Sequence, residues 1–306
     1  MMRIVILGAA AGGGYPQWNC RTPASRRAWT QAPGSKRRTQ ASIAVTADDE
    51  RWLLINASPD FRQQILATPA LWPQRGLRHS PIHSVLLTSG EIDHIAGLLS
   101  MRESQPFDLW ASARVLELLA QNPIFDALNP DFVTRRPLAL EQPLEPGDAD
   151  APLGFTVTPF SVPGKVPLFM EKRSGGDLAG SAEETLGLEV EQDGRRFFFI
   201  PGCAALTEPL RERLRGAELV FFDGTLWRDD ELIAAGVGHK TGQRMGHLSV
   251  DGPAGTVAAF ADLDVKRKVF IHINTTNPIL DETSPEHAAV RARGWEVGED
   301  GMEIRL

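Results

Sequence analysis

The residues best suited to chemistry stand at the ends of apolar runs. "SVLLTS" (84–89) leads into Glu91, Asp93 and His94, "ELVFFD" ends on Asp223, and "KVFIH" ends on His272. Carboxylates and imidazoles are the donors that bind divalent metals. In α/β proteins functional groups gather beyond the carboxyl ends of the strands. A single Asp or His at a strand end more often serves structure than function. Three such ends, each with a metal-competent group, imply convergence on one spot.

The elements that must position these residues follow from the pattern of apolar runs. Strands are expected at 3–8, 40–47, 51–58, 84–89, 154–162, 187–202, 217–224 and 268–274. "DDE" joins the second and third as a hairpin, and "QDGR" makes a tight turn inside the sixth. Helices are expected near 61–66, 94–103, 113–121, 207–215, 251–261 and 284–293. Strand-rich halves with interspersed helices imply two sheets packed face to face and covered by helices. The stretches 15–39 and 163–186 look irregular and read as surface loops.

Bulk properties narrow the function classes. The chain has 306 residues, 42% hydrophobic and 23% charged, enough for a large core without staples. A formal charge of −7 gives no global nucleic-acid footprint. Two cysteines, Cys20 and Cys203, lack paired spacing, which fits a reducing compartment. No signal-like segment stands at the N-terminus, and no apolar run approaches the ~18 residues of a membrane helix. A cytoplasmic protein is expected. The run Gly8, Gly12, Gly13, Gly14 does not spell a dinucleotide-binding loop and reads instead as a sharp turn beside the site.

"GAAAGGGYPQWNC", "LINASPD", "TSGEIDHIAGLL", "FFDGTLW", "RMGHLS" before "VDGPAG", and "FIHINTTNPILDETSPE" occur in this order. With them the chain resembles the metallo-β-lactamase superfamily, and within it the B proteins of pyrroloquinoline quinone (PQQ) biosynthesis. The likeness runs from Arg3 to Leu306. It implies one domain over 1–306, an αββα sandwich of two mixed β-sheets flanked by helices.

The departures from the superfamily carry information too. Hydrolytic members usually have His-x-His-x-Asp-His where this chain has Ser89-Gly90-Glu91-Ile92-Asp93-His94, and a further histidine where "FSVPGKVPL" has none. The matching positions that remain are Asp93, His94, Asp223 and His272. Two histidines and one or two carboxylates with open positions resemble the facial ligand set of non-haem Fe(II) oxygenases. The expected iron ligands are therefore Asp93, His94 and His272, with Asp223 either a ligand or a carboxylate that orients an imidazole. Zinc would be a second occupant in purified protein. Glu91 is a candidate ligand replacement or proton relay, or else a loop carboxylate bonded to backbone. In the resemblance His247 assists catalysis from beside the metal, against the alternative of holding its loop. Ser89 reads as structural, as do His79, His83, His239 and His287, and Cys203 as a small buried residue.

Many relatives in this family carry further cysteines after the position of Cys20, which would bind a structural zinc. "NCRTPASRRAW" has no second cysteine, so that zinc is not expected here. The same loop holds Arg21, Arg26, Arg27, Lys36, Arg37 and Arg38. It reads as a solvated loop or as a landing strip for an acidic peptide. Tyr15, Trp18 and Trp29 flank it, lining a groove or packing in the core, with core packing at least an equal reading for Trp18.

The resemblance implies work on a small precursor peptide whose glutamate and tyrosine become PQQ. An iron- and O2-dependent hydroxylase of the tyrosine ring, acting on the peptide or its Glu-Tyr-derived product, fits the ligand set. A carrier that helps move PQQ or its precursor to the periplasm is the alternative, and a metal-dependent hydrolase is third. Expected partners are the precursor peptide or its product and other proteins of the pathway, with no nucleic acid and no membrane.

Overall fold

A run such as "LVFF" has no polar alternation, so it needs apolar cover on both faces. Leu219 and Phe221 share a core with Ile4, Ile43, Leu53 and Leu86, whereas Val220 and Phe222 pack on the opposite face with Leu210, Leu214, Phe260 and Val290. Each fully buried phenylalanine contributes on the order of 2–3 kcal/mol through burial.

The computed structural model describes residues 1–148, 151–173, 178 and 180–306. Strands β1 (Arg3–Gly8), β2 (Ser42–Thr46), β3 (Trp52–Ile55), β4 (Ile82–Leu86), β5 (Phe107–Ser112) and β6 (Val133–Leu138) lie side by side in chain order. A short ribbon follows, β7 (Gly147–Asp148) against β8 (Ala151–Pro152). The second sheet holds β9 (Thr156–Ser161), β10 (Leu186–Gln192), β11 (Arg195–Ile200), β12 (Leu219–Asp223), β13 (Arg267–Ile271) and β14 (Trp295–Val297). The last strand, β15 (Glu303–Arg305), returns to pair antiparallel with β1.

Both sheets are mixed. β3 to β6 run parallel in one, and β11 to β14 run parallel in the other. One apolar cluster fills the space between the sheets, and two more lie between each sheet and its outer helices. This is the expected αββα sandwich. Among the described residues no helix is long and apolar enough to cross a membrane.

Several elements differ from the sequence reading. The expected 94–103 helix is one α-turn, Ile92–Ile95, followed by a 3-10 segment, Ala96–Met101. Gly97 lies so close to the backbone after β3 that a Cβ would meet the Ser58 carbonyl oxygen at 2.2 Å. The expected 251–261 helix shrinks to Thr256–Ala259, because Gly252 takes a positive φ and Pro253 follows it. The strand expected at 84–89 instead spans 82–86. The irregular stretch 15–39 contains a helix, Pro23–Trp29, capped by the Thr22 side chain. Part of 163–186 lies outside the described residues. Strands β5, β6, β7, β8, β14 and β15 were not anticipated. β6 is "VTRRPL", whose charged residues tolerate a sheet edge but hide the strand pattern. The two-residue turn between β10 and β11 is Asp193-Gly194, both at positive φ, as "QDGR" implied.

Candidate metal centre

The carboxyl ends of β4, β12 and β13 meet at one rim. The loop after β4 is pinned there by Asn56, whose Oδ1 accepts from the Thr88 N–H (2.9 Å), and by the Ser89–Thr185 bridge to the start of β10. The Ala57 N–H, after β3, donates to the His94 carbonyl at 2.8 Å. The glycine turn after β1 runs alongside: a Cβ on Gly12 would sit 3.6 Å from Asp93 Cγ, and Gly13 and Gly14 adopt positive φ. His272 itself takes φ 56°, unusual for a side-chain-bearing residue, as the chain leaves β13.

Asp93, His94 and His272 each offer a donor atom, all within 4.8 Å of one another. His272 Nε2 lies 2.9 Å from Asp93 Oδ2. His94 Nδ1 is 2.7 Å from Ser89 Oγ, whereas its Nε2 is buried with no hydrogen-bond partner among the described residues, 3.9 Å from Asp93 Oδ2. A buried imidazole nitrogen without a partner, facing a carboxylate and a second imidazole, is the donor geometry a divalent metal satisfies. Burial pushes the His94 imidazolium down to about 4 against the pull of Asp93, so His94 is neutral and able to ligate. Burial also opposes a charged Asp93, but its interactions with His94 and His272, including the His272 hydrogen bond, outweigh it. The Asp93 carboxyl therefore lies below its usual range. For His272, burial is outweighed by Asp93 and Asp223, and its pKa is raised. Its Nε2 proton must leave before a metal can bind.

A second group, Asp223, His247 and His272, adjoins the first. Here the carboxylate is already engaged. Asp223 Oδ1 accepts from the Thr225 N–H (2.9 Å) and hydroxyl (2.6 Å), and Oδ2 accepts from the Cys203 N–H (3.0 Å) and lies 2.7 Å from His247 Nδ1. Burial opposes its charge, but His247 foremost, then His272 and Thr225, hold its pKa below the usual range. Asp223 thus has the contacts of an orienting carboxylate. Thr225 Oγ1 also lies 2.8 Å from His272 Nδ1. The single hydroxyl proton goes to the closer, charged Asp223 oxygen, which leaves the hydroxyl to accept from His272 Nδ1–H. The network so assigns Nδ1–H to both His247 and His272 and turns their Nε2 atoms to other work. The rings of His247 and His272 stack at 5.2 Å.

Asp93, His94, His247 and His272 line a cavity of about 350 Å³ with Ala11, Gly12, Glu91, Lys165, Leu168, Lys240 and Met245, and Asp223 lies buried behind them. Glu91 stands outside both donor groups. Its oxygens accept from Lys165 Nζ (2.8 Å) and the Leu168 N–H (3.2 Å). Sequence reasoning singled out Asp93, His94, Asp223, His247 and His272, and the structure brings all five together. It passed over Thr225 and Lys165 and read Ser89 as structural. Ser89 takes the place of the first missing histidine and orients His94. Lys165 falls in "FSVPGKVPL", where a histidine was sought and a cation was not.

The remaining residues fall elsewhere. Cys203 is fully buried, and its thiol donates to the Ala205 carbonyl at 3.2 Å. Cys20 Sγ contacts the Thr22 hydroxyl at 3.4 Å. His287 Nδ1 bonds the Ile279 carbonyl, and His79 Nδ1 accepts from the Gln74 N–H. In the basic loop Arg27 pairs with Asp281, Lys36 with Glu282 and Glu299, and Arg38 is buried against the Gly298 carbonyl. Arg37 donates to the Ala28 and Trp29 carbonyls. Most of its charge is thus spent within the chain. Core packing belongs to Tyr15, 1% exposed, and not to Trp18, which is 81% exposed.

Fold and donor set together define a member of the β-lactamase superfamily. The model of the beta-lactamase superfamily domain matches residues 51–273. Coenzyme PQQ synthesis protein B of Xanthomonas campestris pv. campestris (strain B100) is 73% identical over 305 residues, covering all of both chains. The protein of that name from Gluconacetobacter diazotrophicus is 58% identical over 99% of each. The crystal structure of Zn(2+)-bound PqqB from Methylobacterium extorquens superposes with a TM-score of 0.95 at 51% identity, over 99% of this chain and all of the other. The chain belongs to the coenzyme PQQ synthesis protein B family.

Proposed function

We propose that this protein acts in PQQ biosynthesis as an iron- and O2-dependent hydroxylase of the tyrosine ring in a Glu-Tyr-containing precursor peptide or its product. Family membership supports the pathway. One observation carries the reaction class: Asp93, His94 and His272 form a three-donor face beside a cavity, while every oxygen of Asp223 is taken up by protein donors. A two-zinc hydrolase needs that carboxylate and the missing histidines as ligands. Two imidazoles and one carboxylate with positions left open instead suit Fe(II) oxygen chemistry. The Zn(2+)-bound M. extorquens relative supports metal binding in this family.

Bound by Asp93, His94 and His272, Fe(II) would supply the dioxygen chemistry that side chains lack. Ser89 and Thr225 hold the two imidazoles in the ligating tautomer. His247, fixed by Asp223 at 2.7 Å, takes the proton of the substrate phenol on its Nε2. Glu91 acts through its ion pair with Lys165 and not as a ligand. The overall change places one oxygen atom of O2 in a ring C–H bond and releases the other as water. Two electrons and two protons come from an external reductant such as ascorbate.

The test is mass spectrometry of a Glu-Tyr-containing peptide after exposure to the Fe(II)-loaded protein, ascorbate and labelled O2. Labelled oxygen on the tyrosine ring is expected with iron and not with zinc. Asp93→Ala and His272→Ala should lose metal and oxygen insertion together. No incorporation across peptide forms, with stoichiometric PQQ binding, would replace the hydroxylase by a carrier.

A further inference from the structure

The cavity beside the metal donors has a second charged end. Lys165 and Lys240 both line it. Lys165 Nζ lies 2.8 Å from Glu91 Oε1 and donates to the Val166 carbonyl at 3.0 Å. Glu171 stands behind the two lysines, 3.6 Å from Lys165, 2.9 Å from Lys240 and 2.9 Å from Arg244. Hydrogen bonding by Arg244, then Lys240, draws the Glu171 carboxyl down to about 2.

Among the described residues, three cations therefore gather around two carboxylates. The cations are held in place before any ligand arrives, which lowers the cost of binding. Lys165 is nearly buried, but Lys240 keeps 34% of its side chain exposed and, among the described residues, bonds Glu171 alone. An ammonium has three donors, so Lys240 can serve a ligand without leaving its partner. Leu168 and Met245 add apolar surface to the same cavity.

We propose that Lys165 and Lys240 form a carboxylate subsite that anchors an acidic group of the substrate while its ring lies toward Asp93, His94 and His272. The ring placement rests on the reading of the metal centre given above. The subsite selects for acidic substrates, whether the acid belongs to the peptide or to its processed product.

The probe is PQQ, a polycarboxylate, compared with its uncharged trimethyl ester. Each is titrated calorimetrically into zinc-loaded wild type, Lys240→Gln and Lys240→Arg. Lys240→Gln should weaken PQQ binding about ten-fold or more, the worth of a charge-assisted hydrogen bond. Lys240→Arg should restore most of it, and the ester should bind all three alike. Equal PQQ affinity in wild type and Lys240→Gln, or an equal loss for the ester, overturns the subsite. Should Lys240→Gln lose its zinc or its fold, the wild-type protein decides the matter through salt. PQQ affinity must then fall with ionic strength while ester affinity holds, and a salt-independent PQQ affinity overturns the proposal. Charge-dependent PQQ binding without labelled oxygen on any peptide would remove the hydroxylase and leave the subsite standing.

Discussion

Thr225 Oγ1 lies 2.8 Å from His272 Nδ1 and 2.6 Å from Asp223 Oδ1, so one hydroxyl links the imidazole to the carboxylate. Asp223 thereby governs both histidines near it, His247 directly and His272 through Thr225. Partners of this kind fix the tautomer of a metal-binding histidine, and their loss typically costs about 10–100-fold in metal affinity. We predict a loss of that size for Thr225→Val and near-normal affinity for Thr225→Ser, which keeps the hydroxyl. Competition with a chromogenic chelator measures both. Wild-type affinity in Thr225→Val would remove the relay from the site.

His272 supplies a second prediction because its backbone is also unusual. At φ 56° it occupies the left-handed region, where Asn is tolerated far better than Ala. Both His272→Asn and His272→Ala should lose the metal. In chelator-treated protein, however, His272→Asn is expected to be more stable than His272→Ala by about 1 kcal/mol. Urea unfolding of the two variants provides the comparison, and equal midpoints would show that the backbone conformation relaxes at no cost.

Much of the site was legible because it follows from a local rule. Apolar runs buried on both faces announce themselves as strands, and the polar residue that ends each run marks the rim, as with Asp223 after "LVFF". What could not be read was which Asp223 oxygen meets which donor. The donors come from Cys203, Thr225 and His247, and only tertiary packing brings these together. The same limit hid Lys165, which becomes informative only beside Glu91 and Glu171. The fold was read least well at β6 and β15, edge strands that carry charge, and at β14, a three-residue strand at the other sheet's edge. The short helices were misjudged where Gly97 and Gly252 interrupt the helical pattern.

The two thiols should differ sharply in reactivity. Burial, aided by the nearby Asp223 charge, pushes the Cys203 thiol up to about 12, and its side chain is wholly inside. Cys20 is half-buried; burial would raise its pKa, but hydrogen bonds from Ser25 and Thr22 outweigh it and lower the value. Reactivity follows the thiolate fraction and access. Near neutral pH the native protein is expected to titrate one thiol rapidly with a disulfide reagent, and two after denaturation. Two fast thiols in the native state would mean that the region around Cys203 opens readily.

Asp300 gives the folded state a pH dependence of definite sign. Its Oδ1 accepts from the Ala9 N–H at 3.2 Å, and its Oδ2 from the Thr39 N–H (2.7 Å) and hydroxyl (2.8 Å). Burial nevertheless dominates over these bonds and over Arg38, and raises the carboxyl from 3.8 to about 6. The folded state therefore holds the proton more tightly than the unfolded chain does. The resulting stabilisation is complete below pH ~4 and is lost as pH rises through ~6, by no more than about 3 kcal/mol. Asp300→Asn cannot titrate, although its amide sets an N–H against the Thr39 N–H and lowers stability overall. The advantage of wild type over Asp300→Asn should thus shrink between pH ~4 and ~7. Urea unfolding of both chelator-treated proteins across that range isolates the effect, since every other titrating group is common to the pair. Parallel stability curves would place the Asp300 carboxyl at its ordinary pKa and leave its hydrogen bonds to Ala9 and Thr39 as its whole contribution.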